Sequence, residues 1–390
     1  MIMQNFTFHN PTELIFGKGQ IEKLEEKLNE YGKNILLVYG QGSIKKIGLY
    51  DEVIKYLEKT EKNIVELSGI QPNPRLKSVE KGVELCQKHD IDLILAVGGG
   101  STIDASKAIS CGFYYEGDLW QMIKEDGELN QSLPLGVILT VAATGSEMNA
   151  NSVITNWKTK EKLGFHGTVY PSFSILDPGY TYTVSREYTA CGIADIASHV
   201  FEQYFSHTAN TPLIDRWAED ILSILIEESA NVMDNPEDYG ARANIMLCST
   251  MALNGLVGMG KEEDWASHAI EHEVSAIYDI PHGAGLAIIH PNWMEYVLDE
   301  GEEKFAQYAR RVFDIDGTDK SEREVALAGI QKTREWFNRM GLPSSLDDYD
   351  IRKADLETMA EKAVRDGKIG GYTKLGKEDV LKILEMSFKD

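Results

Sequence analysis

Four histidines and one aspartate recur at spacings that can gather metal ligands. Asp195 and His199 are four residues apart, His268 and His272 are also four apart, and His282 stands between a proline and a glycine. On a helix, residues four apart lie on one face. Imidazole and carboxylate together suit Fe(II) or Zn(II), and no cysteine, the usual ligand of structural zinc, accompanies them. Asp195, His199, His268 and His282 therefore predict a catalytic metal site.

The same segment admits a second interpretation. Residues 268–272 match H-x-x-E-H, a metalloprotease pattern in which a glutamate, here Glu271, activates water. So short a match arises easily by chance, and a protease would leave the glycine loops of the first half without a role. The protease is kept as a remote alternative.

A glycine-rich turn follows the apolar run 92–97, and a helix is expected to begin near Thr102. The turn reads Gly98-Gly99-Gly100-Ser101. Backbone N–H groups at a helix N-terminus bind phosphate, and a turn without Cβ atoms lets a pyrophosphate approach closely. The spacing is not G-x-G-x-x-G, and glycine is also the ordinary turn residue. The turn predicts a dinucleotide site, with a plain turn as the alternative.

Two further loops also follow apolar runs. Gly40, Gly42 and Ser43 come after 34–39, where NAD-selective sites often carry a carboxylate for the ribose. The absence of an acid here favours NADP(H) over NAD(H). Thr140 ends the run 133–140 and Thr144 follows it, and their hydroxyls suit a nicotinamide or a ribose. A helix N-cap is an equal alternative for this third loop.

The pattern of apolar residues changes near Asp177-Pro178. Before it, strand-like runs alternate with helical segments, at 34–39, 49–59, 63–67, 78–89, 92–97, 133–140 and 173–176. Apolar strands separated by helices indicate a mostly parallel sheet covered on both faces. After it, long helical patterns dominate. We therefore predict a Rossmann-like, doubly wound α/β domain over residues 1–185 and an all-α domain over residues 186–390.

Composition limits the classes of partner. The 390 residues carry a net charge of −23, which argues against nucleic acid and anionic membranes as partners. The four cysteines are scattered and predict reduced, buried thiols rather than a disulfide framework. The N-terminus lacks the features of a signal peptide, and no apolar run approaches the ~18 residues of a membrane span. We expect a cytoplasmic protein.

An ordered set of motifs resembles the iron-containing (group III) alcohol dehydrogenases, most closely their butanol dehydrogenase branch. The set comprises Phe8-His9-Asn10-Pro11-Thr12 with Phe16-Gly17-Lys18-Gly19, Gly98-Gly99-Gly100-Ser101 with Asp104 and Lys107, Thr144-Gly145-Ser146-Glu147, Asp177-Pro178, and the histidine cluster of residues 265–283. It covers nearly the whole chain, and the ordered set is far more specific than any one of its members.

The resemblance implies a dinucleotide-binding domain, a helical metal domain and an active-site cleft between them. Asp195, His199, His268 and His282 match the family's metal ligands, and His272 matches an additional histidine near the nicotinamide. Asp104, Thr140, Thr144 and Lys162 match positions around the cofactor. Gly40, Gly42 and Ser43 match a turn that resembles the NADP-using members. The family commonly forms dimers, so a homodimer is expected.

The implied reaction is hydride transfer between NAD(P)H and a small primary alcohol or aldehyde, such as butanol or butanal. The metal would act as a Lewis acid on the substrate oxygen. His272 would relay the proton or, alternatively, orient a ligand. Ser275, where many members carry glycine, and the altered surroundings at Ala142-Ala143 and Met148-Asn149 leave substrate preference open. A dehydroquinate synthase-like enzyme, which regenerates its NAD internally, is the alternative from another class.

Overall fold

The computed structural model describes residues 2–125, 131–166, 169–365 and 367–389. The chain divides into two compact units. The first, called here the α/β unit, comprises His9–Val184 and Pro236–Thr250. The second, called the helical unit, comprises Met1–Phe8, Ser185–Asn235 and Met251–Asp390.

The described residues of the α/β unit form eight strands. They are β1 (Glu13–Phe16), β2 (Asn34–Tyr39), β3 (Asn63–Leu67), β4 (Leu93–Gly98), β5 (Leu135–Leu139), β6 (Asn151–Asn156), β7 (Glu161–His166) and β8 (Phe173–Leu176). Six of them form a sheet in the order β1-β8-β5-β4-β2-β3, and every pairing within it is parallel. Strands β6 and β7 form a separate antiparallel hairpin. The predicted mostly parallel sheet is confirmed.

The helices are numbered in chain order. Those of the first half are α1 (Leu24–Leu28), α2 (Ser43–Lys46), α3 (Leu49–Lys59), α4 (Leu76–His89), α5 (Gly100–Gly112) and α6 (Leu119–Lys124). The rest are α7 (Arg186–Tyr204), α8 (Pro212–Asp234), α9 (Tyr239–Ala252), α10 (Ala266–Tyr278), α11 (His282–Tyr296), α12 (Glu302–Val312), α13 (Glu322–Arg339), α14 (Leu356–Val364) and α15 (Lys377–Met386). Short 3-10 turns link several of them.

Both faces of the six-stranded sheet are buried. Along β2, Leu36 and Val38 enter one apolar cluster, while Ile35, Leu37 and Tyr39 enter another. Successive strand residues point to opposite faces, so these two clusters are the two cores of a doubly wound sheet. This is why β2 and β4 are continuously apolar in sequence.

The sheet has a topological switch point between β2 and β4. From β2 the chain moves outward to the edge strand β3, and it then crosses back to add β4 on the other side of β2. The two strands are in register to their ends, with Tyr39 opposite Val97. In open α/β sheets, ligands bind beyond the carboxyl ends of the strands at such a point. The loops that follow β2 and β4 are therefore the expected binding loops.

The helical unit is built around two buried helices. All residues of α7 from Thr189 to Tyr204 are buried, and in α11 all from Gly283 to Met294 are buried. A helix that is buried on all sides lies in the centre of its domain. The predicted helical second half is confirmed. Among the described residues, no helix is both long and apolar enough to span a bilayer.

Candidate functional site

Helix α7 carries one chemically rich face. Ser185 caps its N-terminus by accepting a hydrogen bond from the backbone N–H of Tyr188. Asp195, His199 and Glu202 then follow at intervals of four and three residues, so they share a face. All three are at least 95% buried. Buried polar side chains require partners, and these lie on α10 and α11.

Helix α10 presents His268 and His272 one turn apart. It begins after Trp265, which adopts a left-handed backbone conformation with φ of +66°. Such a conformation is unusual for a bulky side chain. The Trp265 N–H donates to Glu202 Oε2 at 2.8 Å, and the His268 N–H donates to Glu202 Oε1 at 2.9 Å. Glu202 therefore anchors the start of α10 on α7.

Helix α11 begins at His282. A Cβ atom on the next residue, Gly283, would lie 1.9 Å from the carbonyl oxygen of Cys191 on α7. Only glycine permits so close an approach of two backbones. This contact holds the first turn of α11, and with it His282, against the face of α7 that carries Asp195.

The three helices direct imidazole nitrogens toward one carboxylate oxygen. The Nε2 atoms of His199, His268 and His282 lie 3.6, 4.0 and 3.7 Å from Oδ1 of Asp195. Ligands of a divalent ion at ~2.1 Å lie ~3.0–3.4 Å apart, so the donors need to move inward by only several tenths of an ångström. The donor set and its spacing fit a divalent metal ion.

The four donors are not equivalent. Asp195, His268 and His282 offer atoms that all lie within 4.8 Å of one another. His199 joins them through Asp195, and its ring stacks on that of His268 with centroids 4.9 Å apart. The His282 side chain is 22% exposed, whereas those of the other three are exposed by 8% or less. Solvent therefore reaches the cluster from the side of His282.

Burial sets the protonation state of His199. Desolvation, followed by the neighbouring His268, His282 and His290, lowers the pKa of His199 well below its ordinary value. Desolvation disfavours the charged form of an imidazole that is itself buried. His199 is thus neutral, which is the form that can donate a lone pair to a metal.

Two glutamates outside the predicted ligand set contact the ligand histidines at Nδ1; one of them is the Glu271 of the protease alternative. His268 Nδ1 lies 2.8 Å from Glu202 Oε1. His282 Nδ1 is hydrogen-bonded to Glu271 Oε2, and the Ser275 hydroxyl donates to Glu271 Oε1. Their only signal in the sequence is spacing: Glu202 follows His199 by three residues, and Glu271 follows His268 by three. Burial raises the pKa of Glu202 to about 8.

His272 lies beside the cluster rather than within it. Its ring centroid is 5.4 Å from that of His282 and 6.4 Å from that of His268. Glu271, His272 and His282 form a second group of close donor atoms. His272 is half-buried, so it is nearer to solvent than His199 or His268.

In the α/β unit, the glycine-rich turn of residues 98–101 is in contact with the loop of residues 140–144. A Cβ atom on Gly100 would lie 2.5 Å from the side chain of Thr144, and one on Gly99 would lie 3.0 Å from that of Val141. The backbone N–H of Thr140 donates to the carbonyl of Gly98 at 3.0 Å. Helix α5 begins at Gly100, two residues earlier than expected. The two loops thus form one surface beyond β4 and β5, with Ser101 in the first turn of the helix.

Asp104 and Lys162 lie behind these loops. Asp104 accepts hydrogen bonds from the Ser146 hydroxyl at 2.7 Å and from the Val153 N–H at 3.0 Å. Lys107 and Lys162 are close enough to oppose the rise in the pKa of Asp104 that its burial causes. Both Asp104 oxygens are engaged within the unit, so direct contact of Asp104 or Lys162 with a cofactor stays a prediction.

The loop after β2 combines glycines with a lysine. Gly42 has a φ of +110°, a left-handed conformation that favours glycine. A Cβ atom on Gly40 would meet only the carbonyl of Ile70, at 3.6 Å. Lys45 is exposed, and its ammonium lies 4.2 Å from the centre of the Tyr50 ring. Ser43 is the first residue of α2, and Gly42 is the N-cap residue before it.

This arrangement of a switch-point sheet and a histidine–aspartate cluster has counterparts among known proteins. Residues 11–178 match the family model described as iron-containing alcohol dehydrogenase, and residues 189–388 match that described as Fe-containing alcohol dehydrogenase family, C-terminal. The chain belongs to the iron-containing alcohol dehydrogenase family. It is therefore an oxidoreductase of the alcohol dehydrogenase and aldehyde reductase class, and the protease and synthase alternatives are not supported.

Individual relatives agree over the full length. The chain is 51% identical to a probable NADH-dependent butanol dehydrogenase of Bacillus subtilis over 99% of this chain and 100% of the relative. It is 38% identical to the NADPH-dependent aldehyde reductase of Escherichia coli over 96% and 95% of the two chains. A crystal structure of an NADH-dependent butanol dehydrogenase A from Thermotoga maritima superposes with a TM-score of 0.95 at 39% identity, covering 100% of both chains.

Proposed function

We propose that this protein reduces butanal and similar small aldehydes, and oxidises the corresponding primary alcohols, with a metal bound by Asp195, His199, His268 and His282. The observation that carries the proposal is the approach of three Nε2 atoms to one Oδ1 atom, at 3.6–4.0 Å. The domains are proposed as 1–185 for the cofactor and 186–390 for the metal.

The chemistry follows from the donor set. When bound, Fe(II) or Zn(II) supplies Lewis acidity to the substrate oxygen, and the nicotinamide exchanges a hydride with the carbinol carbon. Asp195 supplies the one negative charge among the four donors, and the three histidines would bind the dication through neutral imidazoles.

His272 is the proposed proton carrier. It adjoins His282 at a centroid distance of 5.4 Å and is more exposed than His199 and His268. An imidazole with access to solvent can pass a proton between the site and bulk water. His272→Asn would lower the rate of alcohol oxidation while metal binding is retained. Loss of metal in this variant would instead assign His272 to orienting the ligands.

We also propose that NADP(H) is preferred to NAD(H). Gly40 supplies no carboxylate at the end of β2, and the exposed ammonium of Lys45 lies nearby. Glu66, the acid of β3, accepts hydrogen bonds from Tyr39 at 2.5 Å and from Tyr50 at 2.9 Å. The Lys45 ammonium lies over both tyrosine rings, 5.1 and 4.2 Å from their centres, and it supplies a positive charge that would attract a ribose 2′-phosphate. The relatives' names include both NADH and NADPH, so they do not decide the matter.

The deciding experiment is butanal reduction by the Fe(II)-reconstituted protein, followed at 340 nm with NADPH and NADH in parallel. Oxidation of either cofactor supports the dehydrogenase, and the larger kcat/KM identifies the preferred cofactor. A larger value with NADH would refute the NADP(H) proposal. His268→Ala and His282→Ala are expected to lose both metal and turnover, and wild-type turnover in either would refute the ligand assignment.

A further inference from the structure

Each of two ligand histidines is held at Nδ1 by a buried glutamate. Glu202 and Glu271 both have a fully buried side chain, at 0% exposure. Glu202 lies on α7 and contacts His268 of α10, whereas Glu271 lies on α10 and contacts His282 of α11. The two contacts therefore link α7 to α10 and α10 to α11.

The direction of each contact fixes a tautomer. An ionised carboxylate only accepts hydrogen bonds, and both Glu202 oxygens already accept from backbone N–H groups. When the two glutamates are ionised, Nδ1 of each histidine therefore carries the proton and donates it. The lone pair is then on Nε2, the atom that faces Asp195 in both residues. A histidine whose Nδ1 donates to a carboxylate is oriented before a metal binds, and the basicity of its Nε2 atom is raised.

We infer that Glu202 and Glu271 are positioning residues of the metal site, and that Ser275 positions Glu271 in turn. The inference rests on the proposed metal ligands. The Ser275 hydroxyl donates a hydrogen bond to Oε1 of Glu271, while Oε2 of the same carboxylate is hydrogen-bonded to His282. A second contact of the Ser275 hydroxyl, with the carbonyl of Ile280 at 3.4 Å, ties the same group to the segment leading into α11.

Glu271 is the better residue to test, because Glu202 also anchors the start of α10 through two backbone N–H groups. Glu271→Gln keeps the volume and can still accept a hydrogen bond, but it removes the negative charge behind His282. Ser275→Ala removes the hydroxyl alone. Glu273→Gln is the matched control, since Glu273 is a buried glutamate of the same helix whose carboxylate is 3.7 Å from Lys362.

The experiment titrates the metal-free full-length proteins with Co(II), with the visible absorption of bound cobalt as the readout, and records thermal unfolding with and without the metal. Substitution of a residue that is hydrogen-bonded to a metal ligand typically weakens metal binding ~10–100-fold. We expect a loss of that size for Glu271→Gln, a smaller loss for Ser275→Ala, and wild-type affinity for Glu273→Gln. The metal-induced rise in Tm is expected to shrink in the same order.

The outcomes separate the two claims. If the wild-type protein binds no Co(II), the proposed metal site itself is wrong. If the wild-type protein binds Co(II) and Glu271→Gln binds it equally well, the positioning role is wrong. An equal loss of affinity in Glu273→Gln would also overturn it, because a general weakening of α10 would then suffice. Should Glu271→Gln fail to fold, wild-type affinity in Ser275→Ala refutes the chain of contacts, and reduced affinity supports it.

Discussion

Gly283→Ala tests whether the contact between α7 and α11 sets the geometry of the metal site. The added Cβ would lie 1.9 Å from the carbonyl oxygen of Cys191 and 2.6 Å from its carbonyl carbon. A relaxed contact between carbon and oxygen is ~3.3 Å, so the two backbones must separate by about 1.4 Å. Both partners are main-chain atoms, and no flexible side chain can move aside.

The displacement acts on the site because its ligands lie on the two helices that would separate. His282 precedes Gly283, and Asp195 lies one turn after Cys191. Functional sites tolerate ~0.5 Å of misplacement, which is well below the required movement. Overpacking costs ~1–3 kcal/mol, whereas alanine gains up to ~1 kcal/mol over glycine in a helix. The net effect is destabilising, and metal affinity is expected to fall by at least the ~10–100-fold that follows loss of a hydrogen-bond partner of a metal ligand.

The assay is a metal titration of the metal-free protein, accompanied by urea unfolding. Gly367→Ala is the control, because a Cβ there meets no atom within 4 Å among the described residues beyond its chain neighbours. We expect Gly367→Ala to match the wild type in affinity. If Gly283→Ala also binds metal with wild-type affinity and unfolds at the same urea concentration, the close approach does not position His282 and the argument is wrong.

Three further predictions concern other parts of the chain. Lys107→Met is expected to lower the free energy of unfolding in urea by ~3–5 kcal/mol. The buried Lys107 ammonium donates hydrogen bonds to Ser146, Asn149 and the carbonyl of Asn151 at 2.8–3.0 Å, and methionine makes none of them. A decrease of less than ~1 kcal/mol would contradict this prediction. Burial lowers the pKa of Lys304 from 10.5 to about 8. The unfolded chain therefore binds more protons between these values, and the contribution of Lys304 to the free energy of unfolding rises with pH across that window. Unfolding of Lys304→Met should lack this rise, and a constant difference from the wild type between pH 8 and pH 10 would refute it. The loop has room for Gly40→Asp. Because the new carboxylate would repel the 2′-phosphate of NADPH, this variant should lower kcat/KM with NADPH ~10–100-fold. The value of kcat/KM with NADH should change far less.

The sheet could be predicted because burial on both faces leaves a simple pattern. Leu36 and Leu37 are adjacent, yet each belongs to a different core, so β2 reads as an unbroken apolar run. The hairpin of β6 and β7 was not predicted, because Asn151–Asn156 and Glu161–His166 mix polar and apolar residues without a clear period. Their pairing depends on contacts with each other and with the sheet core.

The metal ligands could be proposed from sequence because histidine is scarce and its spacing is informative. The nine histidines are few enough for two i,i+4 relationships to stand out. The supporting glutamates could not be recognised in the same way. The chain has 62 acidic residues, and nothing in the sequence separates a buried carboxylate from one on the surface. Only the packing of α7, α10 and α11 shows that Glu202 and Glu271 face histidines.

Glu271 shows how a contact decides between two chemical roles of one residue. In the protease interpretation its carboxylate would activate water for attack on a peptide. Here Oε1 accepts from Ser275 and Oε2 contacts Nδ1 of His282. Both oxygens are engaged, and the side chain is fully buried. A general base needs an oxygen within reach of the water it deprotonates, whereas a carboxylate with both oxygens so bound can hold an imidazole in one orientation. The partners of the carboxylate, rather than the H-x-x-E-H spacing, therefore determine what Glu271 does in this site.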